Sequence, residues 1–135
     1  MAETIFIDAN IFLEIFLKNS KAEKCKEFLQ SLQKENKIGL TTDFIIYTCL
    51  IQIANNTDDI ELMKNFVIFL NSFSNIKVLR PSIDDVYTAI EFIDKKDLDF
   101  DDALVLSCML NREVVSLASF DKHFDKIKDI EKVEI

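Results

Sequence analysis

Residues 5–10 read Ile5-Phe6-Ile7-Asp8-Ala9-Asn10: three consecutive apolar residues, then an acid, then the start of a helix-like pattern. A strand apolar at successive positions buries both faces, the signature of a parallel sheet covered by helices. Working outward, similar short runs predict strands at 38–41, 76–79 and 113–117, with an edge strand at 132–135. Between them, apolar residues at helical spacing predict helices at about 10–17, 21–35, 43–54, 59–73, 82–95 and 101–110, with a last short helix near 120–128. Ile60, Met63, Phe66, Val67, Leu70 and Phe73 form one such stripe. Strands alternating with helices predict an α/β fold, a three-layer α/β/α sandwich around a central, mainly parallel sheet.

The 135 residues, 49% hydrophobic and 30% charged, suit a single domain spanning 1–135 that buries its core without disulfides. Cysteines at 25, 49 and 108 form no CxxC pair and read as small buried hydrophobes. The longest apolar run, Phe66 to Leu70, is five residues, against the roughly 20 needed to span a bilayer. The opening MAETIFIDAN has no signal-peptide pattern, so the expectation is a cytoplasmic protein without membrane contact. The one glycine, Gly39, excludes a Walker or GxGxxG phosphate loop. With a net charge of -8 and two arginines, Arg80 and Arg112, a nucleic-acid partner requires a metal or a local basic patch.

In an open parallel sheet, ligands bind beyond the carboxyl ends of the strands. Asp8 follows the first strand, Asp102 lies in the helix preceding the strand at 113–117, and Asp121 follows that strand in Ser119-Phe120-Asp121. Carboxylates gathered at one rim repel and raise each other's pKa unless a cation sits among them. Hard oxygen ligands suit Mg²⁺ or Mn²⁺, and such ions support phosphodiester hydrolysis. A purely structural alternative stands beside this one: Asp8 and Asp121 suit helix N-caps, Asp99 and Asp102 a capping pair, and the acids from Asp97 to Asp102 a solvated helix start.

Phe6-Ile7-Asp8-Ala9-Asn10, Thr41-Thr42-Asp43-Phe44, Phe100-Asp101-Asp102-Ala103 and Ser119-Phe120-Asp121-Lys122-His123-Phe124 together resemble a PIN domain, in register and nearly end to end. The resemblance implies a metal-dependent nuclease, similar to VapC toxins that cut RNA and are silenced by an antitoxin protein. It implies Asp8, Asp102 and Asp121 as catalytic and metal-binding residues for Mg²⁺ or Mn²⁺. Asn10 and Ser119 match supporting positions, each equally suited to helix capping. At Thr48 the resemblance implies a Glu; the neutral Thr48 fits a hydroxyl bonding back to its own helix, with Asp101, Glu14 or Asp43 as compensating acids. The implied partners are RNA, an antitoxin and a second copy of the chain.

His123, the sole histidine, has no nucleophile in a triad arrangement and reads as a surface helix residue. Lys21-Lys24-Lys26 and Lys122-Lys126-Lys128 suit either a solvated face or guidance of RNA to the rim. The segment 66–70, apolar all round, calls for a deep core or another subunit. Two rivals remain. One is a haloacid-dehalogenase-like phosphatase with Asp8 as nucleophile, which needs a second acid where Asn10 stands. The other is a PIN-like module that binds RNA or protein without turnover.

Overall fold

The structure, a computed structural model, describes residues 2–135. Its five strands are β1 (Thr4–Ile7), β2 (Ile38–Thr42), β3 (Ile76–Leu79), β4 (Ser116–Ala118) and β5 (Glu131–Lys132). Every ladder is parallel and the order is β3-β2-β1-β4-β5. The central position of β1 follows from its composition, since Ile5, Phe6 and Ile7 are all buried. Phe6 pairs with Leu40 on one side and Leu117 on the other. The chain builds outward from β1 to β2 and β3, then crosses back to β4 and β5. The order therefore reverses between β1 and β4, the place where an open α/β sheet offers a crevice.

Six helices, α1 (Ala9–Phe16), α2 (Ala22–Lys34), α3 (Asp43–Thr57), α4 (Ile60–Asn71), α5 (Ile83–Lys95) and α6 (Phe100–Leu110), flank the sheet in the expected α/β/α arrangement. Their starts are set locally. Thr42 caps α3 by accepting from Ile45 N at 3.0 Å, and Asp59 caps α4 by accepting from Leu62 N at 3.1 Å. Ser82 and Asp85 form a reciprocal capping box at α5. Phe12 and Phe16 of α1 meet Phe66 edge-to-face at 5.9 and 5.2 Å, and the run continues through Phe69 to Phe73. At Gly39 a Cβ would fall 2.6 Å from Ile7 Cδ1, so any side chain there requires the Ile7 terminus to shift.

Several boundaries differ from the sequence reading. The strand expected at 113–117 begins at Ser116, because Glu113 is left-handed (φ 57°) and Val114 N returns to Met109 O, ending α6. The edge strand expected at 132–135 is Glu131–Lys132, limited by the three residues of its partner β4. The last helix is a 3₁₀ turn, Lys122–Lys126, closed by extended Ile127. Within the α4 stripe Phe66 and Phe73 are buried, but Ile60 and Val67 face solvent along with Ile68. The cysteines are buried and free as expected. Burial raises their thiols to about 11 at Cys25 and about 12 at Cys49 and Cys108.

One ionic network holds α5 to α6. The Asp85 carboxylate, buried at the start of α5, accepts a fork from Arg112 (2.9 and 2.8 Å), Asn111 Nδ2 at 2.8 Å and its own capping partner Ser82 N at 2.8 Å. Ser107 Oγ donates to Asp85 O at 2.6 Å. The Arg112 guanidinium, against the opposing effect of burial, holds the Asp85 carboxyl well below the usual carboxylate range. Its contribution to stability is therefore whole above the unfolded-state pKa of about 3.9 and drains away as pH falls below that value. Asp85→Ala should cost about 3 kcal/mol at neutral pH. In urea titrations, the gap between variant and wild type should narrow as pH drops below about 4.

Candidate metal centre

Asp8 follows the last residue of β1, and its backbone N–H donates to Ala118 O of β4 at 3.0 Å, so the first acid is tied to the reversal of strand order. Its Oδ1 accepts from Ala9 N at 2.8 Å, a capping contact for α1. Its Oδ2 accepts from Ser119 Oγ at 2.7 Å and is approached by Asn10 Nδ2 at 3.5 Å. Asn10 also donates to Ser119 Oγ at 3.2 Å and accepts from Phe120 N at 3.2 Å, while Asp121 N donates to Ser119 Oγ at 3.0 Å. Asn10 and Ser119 thus clasp the ends of β1 and β4 and fix one carboxylate oxygen of Asp8.

Asp121 caps the 3₁₀ turn through His123 N at 2.9 Å. The His123 ring then lies with Nδ1 3.0 Å from Asp102 Oδ2 and 3.2 Å from Asp121 Oδ1, joining an acid of α6 to the acid beyond β4. Asp102 is free to do this because the expected Asp99–Asp102 capping pair does not form: Asp99 makes no side-chain cap bond. The capping reading holds for Asp8 and Asp121, and Asp121 also meets Asp102 through His123.

A cleft of about 40 Å³ is lined by Asp8, Ala9, Phe44, Ile45, Thr48, Asp101, Asp102 and Val105. Thr48 reaches it from α3 while its hydroxyl donates to Phe44 O at 2.9 Å, the back-bond read from the sequence. Asp101 borders the same cleft, whereas Glu14 is engaged by Asn19 and Lys21 N, and Asp43 is not among the lining residues. Of the two lysine clusters, Lys21 sits 4.2 Å over the Phe120 ring beside the acids, and Lys126 is turned to Asp97 at 3.6 Å.

The electrostatics follow from crowding. Burial raises the Asp8 pKa, hydrogen bonds from Ser119 and Ala9 pull it back, and the charges of Asp121 and Asp101 push it up again. Asp102 rises to about 6, chiefly through burial, opposed by its bond to His123 and reinforced by Asp121, Asp101 and Asp8. The bond to Asp102, followed by the charge of Asp121, raises His123. Among the described residues, the ion pairs of Asp102 and Asp121 are with His123, not with Lys or Arg.

That donor set fits a divalent cation. Oxygen and nitrogen atoms of Asp102, Asp121 and His123 all lie within 4.8 Å of one another, and Asp99, Asp101 and Asp102 form a second group sharing Asp102. An ion would offset the burial that chiefly lifts Asp8 and Asp102, and the repulsion from neighbouring acids that adds to it. His123 is the residue the sequence reading assigned elsewhere. It is exposed, as expected, yet its ring bridges two of the acids; the Asp121-x-His123 spacing on one tight turn was the signal available.

No curated protein sequence matches the chain. Among solved structures, VapC20 of Mycobacterium tuberculosis, described as a sarcin-ricin loop cleaving toxin, is similar at a TM-score of 0.75 and 15% identity, covering 92% of this chain and 95% of that one. VapBC2 of Rickettsia felis, bound to a DNA fragment from its promoter, is similar at 0.75 and 16%, covering 96% and 97%. A toxin-antitoxin complex from Klebsiella pneumoniae reaches 0.70 at 15%, covering 94% and 95%. At such identities the likeness carries the fold. The sequence itself is matched by the family model described as the PIN domain over residues 5–130, a stretch running from β1 to the turn before β5, and the chain belongs to the PIN domain family.

Proposed function

We propose that the chain is a metal-dependent endoribonuclease, the toxin of a VapBC-type toxin–antitoxin pair, acting in the cytoplasm. The observation that carries this reading is the convergence of Asp8, Asp102 and Asp121 around Ser119 and His123 where the strand order reverses. Asp8, Asp102 and Asp121 are the catalytic residues and hold Mg²⁺ or Mn²⁺. When bound, the ion supplies positive charge to the phosphodiester and acidifies the attacking water. Asn10 and Ser119 keep one Asp8 oxygen occupied, leaving the orientation of its carboxylate fixed. Lys21, propped on Phe120, offers a positive charge to an RNA backbone that the net charge of -8 otherwise repels.

Two surfaces support the protein partners. Tyr47 and Ile51 of α3, and Ile83, Tyr87 and Ile90 of α5, are exposed large hydrophobic residues of the kind a second copy of the chain could cover. A groove of about 640 Å³, with Ile15 and Phe16 of α1 against Leu62 and Phe69 of α4, suits an antitoxin segment. Solved structures similar to this chain in fold include toxin–antitoxin complexes. Membership of the PIN family, and the use of Asn10 to bind Ser119 and Phe120 rather than to act as an acid, leave the phosphatase alternative without support.

Single-stranded RNA should be cut in Mg²⁺ or Mn²⁺ and left intact in chelator. Asp8→Asn should lower the rate at least about a hundredfold. Equal cutting in chelator overturns the mechanism, and RNA retained without turnover makes the protein a binding module. Thr48 lines the cleft, and the resemblance to the PIN family implies a Glu there, so Thr48→Glu should tighten Mn²⁺ and raise the cleavage rate. The same change should cost the metal-free protein about 1 kcal/mol by adding a fourth acid to a repulsive group. Calorimetric titration, RNase assay and thermal melting check the three effects.

A further inference from the structure

We propose that His123 is a nitrogen ligand of the ion held with Asp102 and Asp121, and that it biases the site toward Mn²⁺ over Mg²⁺. The proposal rests on the reading of these acids as a metal centre and adds a neutral donor to it.

His123 Nδ1 meets Asp102 through a hydrogen bond and Asp121 through an ion-pair contact, and an ion taking the place of the proton between them would find the three atoms at ligand spacing. Two adjacent donors on an octahedral ion with bonds of about 2.1 Å lie about 3 Å apart. His123 Nδ1 stands 3.0 Å from Asp102 Oδ2 and 3.2 Å from Asp121 Oδ1. The ring is held there from its own backbone: His123 N donates to Asp121 Oδ1 at 2.9 Å, and the adjacent Phe124 is buried in the core, anchoring the turn. The imidazole itself is largely exposed, so its position does not serve core packing.

The donor count points the same way. On the α3 side of the cleft Thr48 brings a hydroxyl already committed to Phe44 O. On the β4 side His123 brings a donor that, in its neutral form, adds no negative charge beside Asp8 and Asp102, which the charges of Asp121 and Asp101 already push up. A neutral imidazole discriminates between ions. Mg²⁺ favours oxygen donors and gives up water reluctantly, whereas imidazole nitrogen suits transition ions.

The test uses the full chain loaded with Mn²⁺ and read by pulsed electron paramagnetic resonance and by calorimetry, for wild type and His123→Gln. The wild type should show ¹⁴N coupling to Mn²⁺ that disappears in His123→Gln, with Mn²⁺ affinity falling about tenfold and Mg²⁺ affinity by less than about threefold. Unchanged thermal melting of the metal-free variant excludes misfolding. Mn²⁺ bound to the wild type without nitrogen coupling overturns the ligand role while leaving the metal centre standing. Tighter Mn²⁺ binding by His123→Gln also overturns it, by making the ring a competitor for the ion's place. No Mn²⁺ binding by wild type overturns both readings.

Discussion

A strand that is apolar on both faces can satisfy its backbone and bury its side chains together only in the interior of a sheet. Ile5, Phe6 and Ile7 impose that condition on β1, which pairs with β2 and β4 at once. The rest of the rim depends on this pairing. Because β1 and β4 are neighbours, Asp8 and Ser119 emerge side by side and close a 2.7 Å bond. Because β4 is only three residues long, the chain leaves the sheet early and turns Asp121 and His123 back toward α6. Asp8 and Asp121 are therefore brought together by strand order and locked by Asn10 and Ser119, while Asp102 joins them from α6 through His123.

Where burial decides the conformation, the sequence was readable. β3 falls at 76–79 as expected, and Asp8 stands directly after β1, a strand end that a short apolar run marks well. Where a single backbone angle decides, it was not. The left-handed turn at Glu113 moved the start of β4, and nothing in the composition of that stretch, which lacks Gly, announces a positive φ. His123 was obscured for another reason. Its partners lie in two different elements, and a lone histidine gives no pattern until the fold supplies Asp102 from α6. Thr48 was legible as a back-bonded hydroxyl, but its presence in the cleft beside Asp8 needed the packing of α3 against α1.

The two buried acidic centres show opposite solutions to one problem. Asp85 is neutralised within the fold by a bidentate arginine and is held ionised. Asp8 and Asp102 are buried with hydroxyl, amide and imidazole partners in place of a permanent cation; burial raises their affinity for protons, and those hydrogen bonds offset it only in part. α6 carries both: Arg112, just past its C-terminal end, steadies α5, while Asp102 in its first turn faces the cleft. The acid neutralised by arginine and the acids of the cleft are thus separated by the length of one helix.

The aromatic inventory has an optical consequence. The interior is a phenylalanine interior, with Phe12, Phe66 and Phe124 among its fully buried rings, and the chain contains no tryptophan. Its two tyrosines, Tyr47 and Tyr87, both stand out from the surface on α3 and α5. Intrinsic ultraviolet emission and near-ultraviolet dichroism from tyrosine therefore report on those outward helix faces and barely on the core. Whatever docks there registers in a spectrum that the folding of the interior leaves almost silent.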